Sequence, residues 1–531
     1  MPNDDSKNKI QVSRRRAAVI NLFSNYAMVT ISIINGIVLV PLYFHFFDLS
    51  IYGAWLASGG ILGMLGVLEG GINLVLTQRL SLSYGEHNKQ RFAEYAGTGI
   101  LVVSTLAGIF TAVGITISAW VPAWVNTPAE QCSSIKSAFC MAVIGSGFVM
   151  VRQGMGSIIQ AWLKPLFAGI AVVISLLAGI IALLAGLFSG WGVVSLGLSS
   201  LVSGMIGACL FGGYVCYTWR FMKYPRPVIN RFALKDLIFT TLPVFAGRSG
   251  GVILNNCQTT IAAMFIGPSA SAIFSLTRRV FDVCLMVLSP IGSSAFAGFA
   301  HASGNENYSK LRALTKDFFA IFSVIAAILL AGAVALNREF VSLWVGSDKF
   351  GGLLLSIIFC MLYVINTRLN LLGLLLTAFG VIGKTAWSSL ITLAIQLPLM
   401  FFFLRKMGLV GMPLAEICSI LLVSGWYLHL LMVKRLKLKS NQLSLIMVGL
   451  PSTLFAVLTG IAWSCFVKKP ETWFMFICHS LTFGLLIVAI TYCLNPKMRH
   501  MTASVLKRIR NILSKALTWR FATNRGVGKN L

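Results

Sequence analysis

The stretch from Asp236 to Gly267 contains the residues best suited to chemistry. It is long and apolar enough to cross a membrane, yet Arg248 lies near its centre and Asn255 follows one heptad later. Heptad spacing keeps Thr241, Arg248 and Asn255 on one face of a helix, because the drift is only about 20° per seven residues. A guanidinium is costly in lipid but suits phosphate oxygens. The spacing therefore predicts a water-lined cavity in which Arg248 and Asn255 bind an anionic group.

A second polar stripe follows in the next apolar segment. Arg278 and Asp282 are four residues apart, so they meet on one face of a helix, and Arg279 is an alternative partner for Asp282. The pair either hides charge from lipid or opens during transport, in which case Asp282 exchanges a proton. The pattern predicts substrate binding by Arg278 and proton or ion coupling by Asp282.

The composition identifies the kind of protein that surrounds these residues. The chain has 531 residues, of which 57% are hydrophobic and 11% charged, and its formal charge is +28; its mean hydropathy is +0.83. Such values are typical of an all-α polytopic membrane protein and not of a soluble domain. The basic residues lie between apolar spans and at the termini, where they set orientation, so nucleic acid is not expected as a partner. The eleven cysteines form no CxxC pair, and no cofactor or metal is expected.

Apolar windows of about 19 residues predict about 14 transmembrane helices, with the second at 52–78 and the twelfth at 411–433. With the N-terminus inside, 31 lysines and arginines fall on the inner side and 7 on the outer side. Both termini are therefore predicted to be cytoplasmic. The tail after 495 contains LKRIRNILSKALTWRF, a basic amphipathic pattern that indicates contact with anionic membrane lipid.

An internal repeat at an offset of about 220 residues divides the spans into two sets of six. GWGVVSLGLSSLVSG in the first half has its counterpart in GLVGMPLAEICSILLVSG in the second. The repeat predicts two six-helix bundles related by a pseudo-two-fold axis along the membrane normal. The resulting domains are a cytoplasmic segment (1–16), an N-terminal bundle (17–218), a basic linker (219–236), a C-terminal bundle (237–433), two additional helices (434–494) and a basic tail (495–531).

The repeat also relates further candidates. Asn35 in the first span falls opposite Asn255, and Arg152 in the fourth span matches Arg368 in the tenth at similar depth. Asn35 and Arg368 are therefore added to the predicted substrate-binding residues, although either arginine could instead anchor its own bundle. Glu69 either pairs with Arg79 or faces the cavity as a coupling acid. Within span 2, Gly59/Gly63 and Gly66/Gly70 have the spacing that permits close helix packing.

Two pairs of segments resemble a known family. PLYFHFFDLSIYGAW leads into VLEGGINLVLTQRLSLSYGEHNKQ in the first half, and IGPSASAIFSLTRRV leads into SPIGSSAFAGFAHASGN in the second. Over spans 1 to 12 the chain resembles the oligosaccharide and polysaccharide flippases of the multidrug/oligosaccharidyl-lipid/polysaccharide exporter superfamily. The resemblance implies a V of two bundles with helices 1, 2, 7 and 8 at the seam. It also implies ATP-independent, alternating-access translocation of an undecaprenyl-diphosphate-linked glycan across the bacterial cytoplasmic membrane. A polysaccharide polymerase and its chain-length machinery are candidate protein partners.

Rival functions remain. A drug or cation antiporter of the same superfamily needs a carboxylate in its binding lobe, whereas the spans contain five arginines against three acids. A membrane enzyme is disfavoured because no catalytic constellation is found. A flippase for the peptidoglycan precursor, lipid II, is the second choice, since the first span lacks the run of arginines expected of one. The sequence thus favours a surface polysaccharide unit, such as an O-antigen, capsule or exopolysaccharide repeat.

Overall fold

The computed structural model describes residues 26, 29–34, 36–304, 308–438, 447–467, 470–494 and 499. Within these ranges the side chains of residues 243, 246–248, 297, 298, 300–302, 304, 310 and 382 are not described. The predicted amphipathic tail and Asn35 lie outside the described residues. In the described part the chain is helical and contains no strand.

The described residues of the first half of the chain form eight helices. They are α1 (Val29–Tyr43), α2 (Leu49–Leu65), α3 (Ile72–Gly85), α4 (Lys89–Ile117), the short α5 (Val121–Trp124), α6 (Cys132–Ala161), α7 (Pro165–Phe188) and α8 (Val194–Phe221).

The described residues of the second half form nine more. They are α9 (Arg231–Phe265), α10 (Pro268–Gly304), α11 (Tyr308–Val345), α12 (Leu353–Ala378), α13 (Ile382–Met407), α14 (Gly411–Leu422), α15 (Ser424–Arg435), α16 (Leu450–Phe466) and α17 (Trp473–Leu494).

Two predicted spans are broken helices. The span predicted at 52–78 turns through a 3-10 segment, Gly66–Glu69, and then through Gly70 and Gly71, whose φ angles are 60° and 79°. Only glycine adopts such angles at little cost, so this pair separates α2 from α3. The span predicted at 411–433 divides at Val423, with φ −123° and ψ −77°. Broken membrane helices are tolerated where protein or water satisfies the freed backbone groups.

The polytopic membrane fold is confirmed. In the described part of the chain, nine helices are long and apolar enough to cross a membrane, and Val29–Tyr43 and Leu450–Phe466 are shorter apolar helices. Large apolar side chains remain exposed on them, including Phe466 at 88% and Phe474 at 76%, as expected for surfaces that meet lipid. The total of 14 spans stays a prediction.

The helices pack as two bundles and an added pair. In the first bundle α6 packs on α4 and α8, and α8 on α7; in the second, α10 and α15 pack on α12, and α13 on α9 and α14. Helix α2 crosses between the bundles and contacts both α9 and α10. These three helices belong to spans 2, 7 and 8, which are three of the four spans that the resemblance places at the seam. The added helices α16 and α17 pack on α11.

Glycines allow α2 to lie directly against the second bundle. A Cβ on Gly53 would collide with the backbone carbonyl of Pro268, and one on Gly60 would lie 2.6 Å from the carbonyl oxygen of Asn256. Gly63 likewise abuts the Asn256 side chain, whereas Gly59 faces open space. The predicted packing role therefore holds for Gly63 but not for Gly59.

The orientation can be tested with reporter fusions. We expect fusions after three positions to report the cytoplasm because basic residues concentrate on that side, and fusions near three others to report the outer side. The first set is Arg231, Asn305 and Leu531, and the second is Thr127, Asp348 and Pro470. A phosphatase and a fluorescent reporter at each site serve as mutual controls. An external C-terminus would mean that the number of spans is odd.

Candidate substrate cavity

A cavity of about 540 Å³ lies among α9, α10, α12, α13 and the α14–α15 pair. Leu74 of α3 also lines it, so the cavity opens on the seam between the bundles. Its polar lining is Asn255, Arg278, Tyr363, Asn366, Asn370, Thr377, Thr385, Ser389, Thr392, Gln396, Glu416 and Ser424. Ser424, next to the helix break at Val423, hydrogen-bonds Ser388 (3.0 Å) and Thr392 (2.7 Å) across to α13. The cavity is therefore a polar space inside an otherwise apolar bundle.

Arg278 is the cation whose position in this cavity is fixed by contacts. Its Nε donates to Asp282 at 3.0 Å and to the Tyr363 hydroxyl at 2.7 Å, while Nη1 donates to Gln258 Oε1 at 2.9 Å. The Tyr363 hydroxyl in turn donates to Asp282. These contacts hold the planar guanidinium through Nε and Nη1, and no hydrogen bond joins its Nη2 group to another described residue. Such a group can still bind a phosphate oxygen.

Glu416 extends the same network. Gln258 Nε2 donates to one carboxylate oxygen at 2.5 Å, and Asn366 Nδ2 donates to the other at 2.9 Å. Gln258 thus connects Glu416 directly to Arg278, because its oxygen accepts from the arginine while its nitrogen donates to the acid. Four helices, α9, α10, α12 and α14, meet in this chain of contacts.

The two arginines of α10 point in different directions. Asp282 pairs with Arg278, which settles the choice that the sequence left open. The Arg279 guanidinium instead packs against Gly36 of α1, where a Cβ would collide with it. Arg279 is accordingly a seam residue and Arg278 a cavity residue.

The α9 residues are only partly described. Asn255 lines the cavity, together with Val244 and Gly251. Position 248 falls on the same helical face, four residues after Val244 and seven before Asn255. The side chain of Arg248 lies outside the described residues, as does Asn35, so their predicted binding roles stay predictions.

Glu69 lies in the other bundle, in the 3-10 turn between α2 and α3. It accepts a hydrogen bond from Asn73 at 3.0 Å, and Asn73 also contacts Gln153 at 3.3 Å. The alternative pairing with Arg79 is wrong, because Arg79 pairs with Asp236 of α9 at 2.8 Å. A coupling role for Glu69 remains a prediction.

Arg152 and Arg368 occupy their own bundles, apart from the Arg278 network. Arg152 lies 5.9 Å from the Phe211 ring and 3.4 Å from Ser175. Arg368 lies 4.9 Å from the Phe319 ring and lines a separate, small cavity. The structure therefore does not bring Arg368 together with Arg278 and Asn255, and its predicted contact with substrate stays a prediction.

Sequence reasoning left four members of the network, Gln258, Tyr363, Asn366 and Glu416, out of the predicted site. Glu416 was visible only as an acid within an apolar span, and Tyr363 and Asn366 as polar residues one turn apart on α12. Their spacing on one helix was the available signal. In the described part of the chain, no three histidine, cysteine, aspartate or glutamate residues come together as a metal site.

Solved structures share this fold at low identity. An inward-facing multidrug resistance MATE family transporter of the MOP superfamily matches with a TM-score of 0.60 and 14% identity, covering 85% of this chain and 100% of that one. The lipid II flippase MurJ in an inward closed conformation matches with a TM-score of 0.60 and 13% identity, covering 91% and 98%. A MOP superfamily transporter from Pyrococcus furiosus matches with a TM-score of 0.57 and 14% identity, covering 80% and 96%. The protein thus has the fold of this superfamily of membrane transporters.

Comparison with curated proteins finds no match to the chain. A family profile described as polysaccharide biosynthesis protein matches residues 18–297. That range includes more than half of the sequence, among it α2, the break at Glu69 and the Arg278–Asp282 pair. The protein belongs to the polysaccharide biosynthesis protein family.

Proposed function

We propose that the protein is a flippase that moves an undecaprenyl-diphosphate-linked oligosaccharide from the inner to the outer leaflet of the bacterial cytoplasmic membrane. The glycan is the repeat unit of a surface polysaccharide: an O-antigen, a capsule or an exopolysaccharide. The observation that carries this proposal is Arg278, a guanidinium held at the wall of a polar cavity of about 540 Å³ that opens on the seam. Family membership supports it.

The diphosphate binds at Arg278. A guanidinium offers paired donors to phosphate oxygens, and the Nη2 group of Arg278 is not engaged by Asp282, Tyr363 or Gln258. Arg248, on the cavity face of α9, is the proposed second cation. The amides Asn255, Asn366 and Asn370 and the hydroxyls of α13 supply hydrogen bonds to the sugar. The isoprenoid chain stays in lipid outside the seam.

Binding is coupled to protonation through the same contacts. Phosphate oxygens compete with Asp282 for Arg278, and a carboxylate that loses its cation within a membrane favours the protonated form. Asp282 then keeps the Tyr363 hydroxyl as a partner. Glu416 feels the same competition through Gln258 and is a second proposed coupling acid. Glu69 stays a candidate in the first bundle.

We assign alternating access to opening and closing of the seam between the two bundles. At the end predicted to face outward, Thr260 Oγ1 donates to the Ala57 carbonyl at 2.8 Å, and Asn126 Nδ2 donates to the Ala263 carbonyl at 2.9 Å. The cavity lies in the central and predicted cytoplasmic parts of its helices. This is the arrangement that would load substrate from the inner leaflet, with both termini in the cytoplasm. After release, a polymerase with its chain-length machinery would use the glycan.

A second candidate function, export of organic cations, is favoured by Glu416. Its carboxylate lines the cavity and is hydrogen-bonded by two amides, with no direct contact to a cation in the described residues. An acid of this kind can hold a positively charged drug. Lipid II remains the alternative glycolipid.

Transport by the purified protein separates these functions. Reconstituted in liposomes without nucleotide, the full-length protein should move a labelled undecaprenyl-diphosphate-linked oligosaccharide, because a central cavity works with ion or substrate gradients. Arg278→Gln in matched liposomes is the control for leakage. Lipid II and a fluorescent organic cation are offered in parallel. An absolute requirement for ATP, or movement of the cation alone, would contradict the proposal.

A further inference from the structure

The buried guanidinium of Arg368 has donors without partners. Its Nε and Nη2 atoms are both buried and form no hydrogen bond with a described residue, and its Nη1 reaches the Val448 carbonyl only at 3.5 Å. The ion pairs of the described residues do not include it. Buried donors without partners are rare, and a buried charge normally has a counterion.

Arg368 lines a cavity of about 20 Å³ between α11, α12 and α16. That volume has room for one particle about the size of a water molecule. Among the described residues, the lining contains Arg368 and the hydroxyl residues Ser323, Thr367 and Thr453, and no acidic residue. The remaining lining is apolar, including Phe319 and Phe322. The Ser323 hydroxyl already donates to the Val448 carbonyl, and the Thr453 hydroxyl to the carbonyls of Ser323 and Gly449. The site is therefore small and positively charged, and its available donors are those of Arg368 and Thr367.

Two further observations indicate that the ligand of this site carries a negative charge. Thr367 also lines this cavity and is only 4% exposed, and its Oγ1 hydroxyl has no hydrogen-bond partner in the described part of the chain. Leu450, the first residue of α16, lines the same space, so the cavity lies beside the N-terminus of a helix of 17 residues, which is the positive end of its dipole. An anion would satisfy the guanidinium and the hydroxyl together, whereas a water molecule leaves the charge uncompensated.

We propose that Arg368 and Thr367 bind a small monovalent anion, of the size of chloride, between the C-terminal bundle and the added helix α16. A diphosphate or a lipid phosphate does not fit a space that holds one water-sized particle, so this site is distinct from the substrate cavity. The anion joins three helices, α11, α12 and α16, at one charged group. It fixes α16 against α11 and α12, and it neutralises the only arginine of α12.

Thermal unfolding tests the site. The purified full-length protein is heated in sodium chloride and in sodium gluconate at equal ionic strength, since gluconate is too large to enter. A ligand that binds only the folded state raises the unfolding temperature, so we expect the midpoint to be about 2 °C or more higher in chloride and to saturate with concentration. Arg368→Gln and Thr367→Val should lose this difference. Arg152→Gln, the matched change in the other bundle, should keep it.

Two results of the thermal-unfolding experiment would contradict the anion site. Equal midpoints in chloride and gluconate for the unmodified protein would overturn the proposal, as would a chloride shift that survives in Arg368→Gln. If Arg368→Gln does not fold, Thr367→Val carries the comparison, because it removes one hydroxyl and keeps the shape. Crystals grown in bromide provide a second readout. An anomalous peak between Arg368 and Thr367 supports the site, and a diffraction map with bromide elsewhere but none there refutes it.

Discussion

Replacing Arg278 with alanine should reduce transport by about ten- to a hundredfold or more. A charge-assisted hydrogen bond contributes about 1.5–3 kcal/mol, and each 1.4 kcal/mol is a factor of about ten in affinity. Arg278→Lys should retain part of the activity, because it keeps the charge but loses the planar donors. The measurement is the rate of glycolipid movement in liposomes, normalised to the amount of inserted protein.

The alanine change also leaves Asp282 without its cation inside the membrane, which could lower accumulation for a reason unrelated to transport. The double variant Arg278→Gln with Asp282→Asn separates the two effects. It removes both charges, so it should insert and accumulate normally and still fail to transport. Arg152→Gln is the matched control, because Arg152 lies within the N-terminal bundle and does not line the cavity. Normal transport by the double variant would contradict the role of Arg278.

The Arg278–Asp282 pair could be predicted because it depends only on helical spacing. The other residues that contact this pair could not be predicted. Gln258, Tyr363 and Glu416 come from three different helices, and their contacts depend on how those helices are rotated and how deep each one sits. A hydrophobic pattern specifies neither quantity when a helix is apolar all round. The network is therefore visible from sequence only as unrelated polar residues.

The same limit explains Glu69 and Arg79. They are ten residues apart on what the sequence presents as one continuous span, so a pairing between them was an open choice. The glycine break at Gly70 and Gly71 turns the chain between them, and Arg79 instead meets Asp236, 157 residues away. The two adjacent glycines were a sequence signal for the break. No sequence signal identified Asp236 as the partner of Arg79.

Helix rotation also decides which glycine of α2 matters. Gly59 and Gly60 are neighbours in the sequence, yet Gly59 is exposed with open space beside it, whereas Gly60 is buried against α9. The apolar pattern does not distinguish them, since both lie in a segment without charges. Their contrast provides a pair of substitutions with identical chemistry and opposite expected effects.

Gly60→Ala should therefore abolish most transport, and Gly59→Ala should leave it unchanged. An added methyl at Gly60 would lie 2.6 Å from the Asn256 carbonyl oxygen and 2.5 Å from the Thr260 hydroxyl, closer than real side chains approach. Because a backbone carbonyl of α9 cannot rotate away, α2 and α9 must separate. That separation breaks the hydrogen bond from Thr260 to the Ala57 carbonyl and opens the seam at its predicted outer end.

The expected change is conformational, so it needs a readout besides transport. Spin labels at Ala123 and Ile266, which are exposed on the two sides of the seam, should move apart in Gly60→Ala and keep their distance in Gly59→Ala. A protein held open at the outer end cannot reload from the inner leaflet. We therefore expect transport to fall by about tenfold or more. This fall corresponds to a change of roughly 1.4 kcal/mol in the free-energy difference between the two conformations. If Gly60→Ala transports normally with an unchanged label distance, the seam can absorb the methyl group and does not gate access. If the distance grows but transport persists, closure at this end is not a step of the transport cycle.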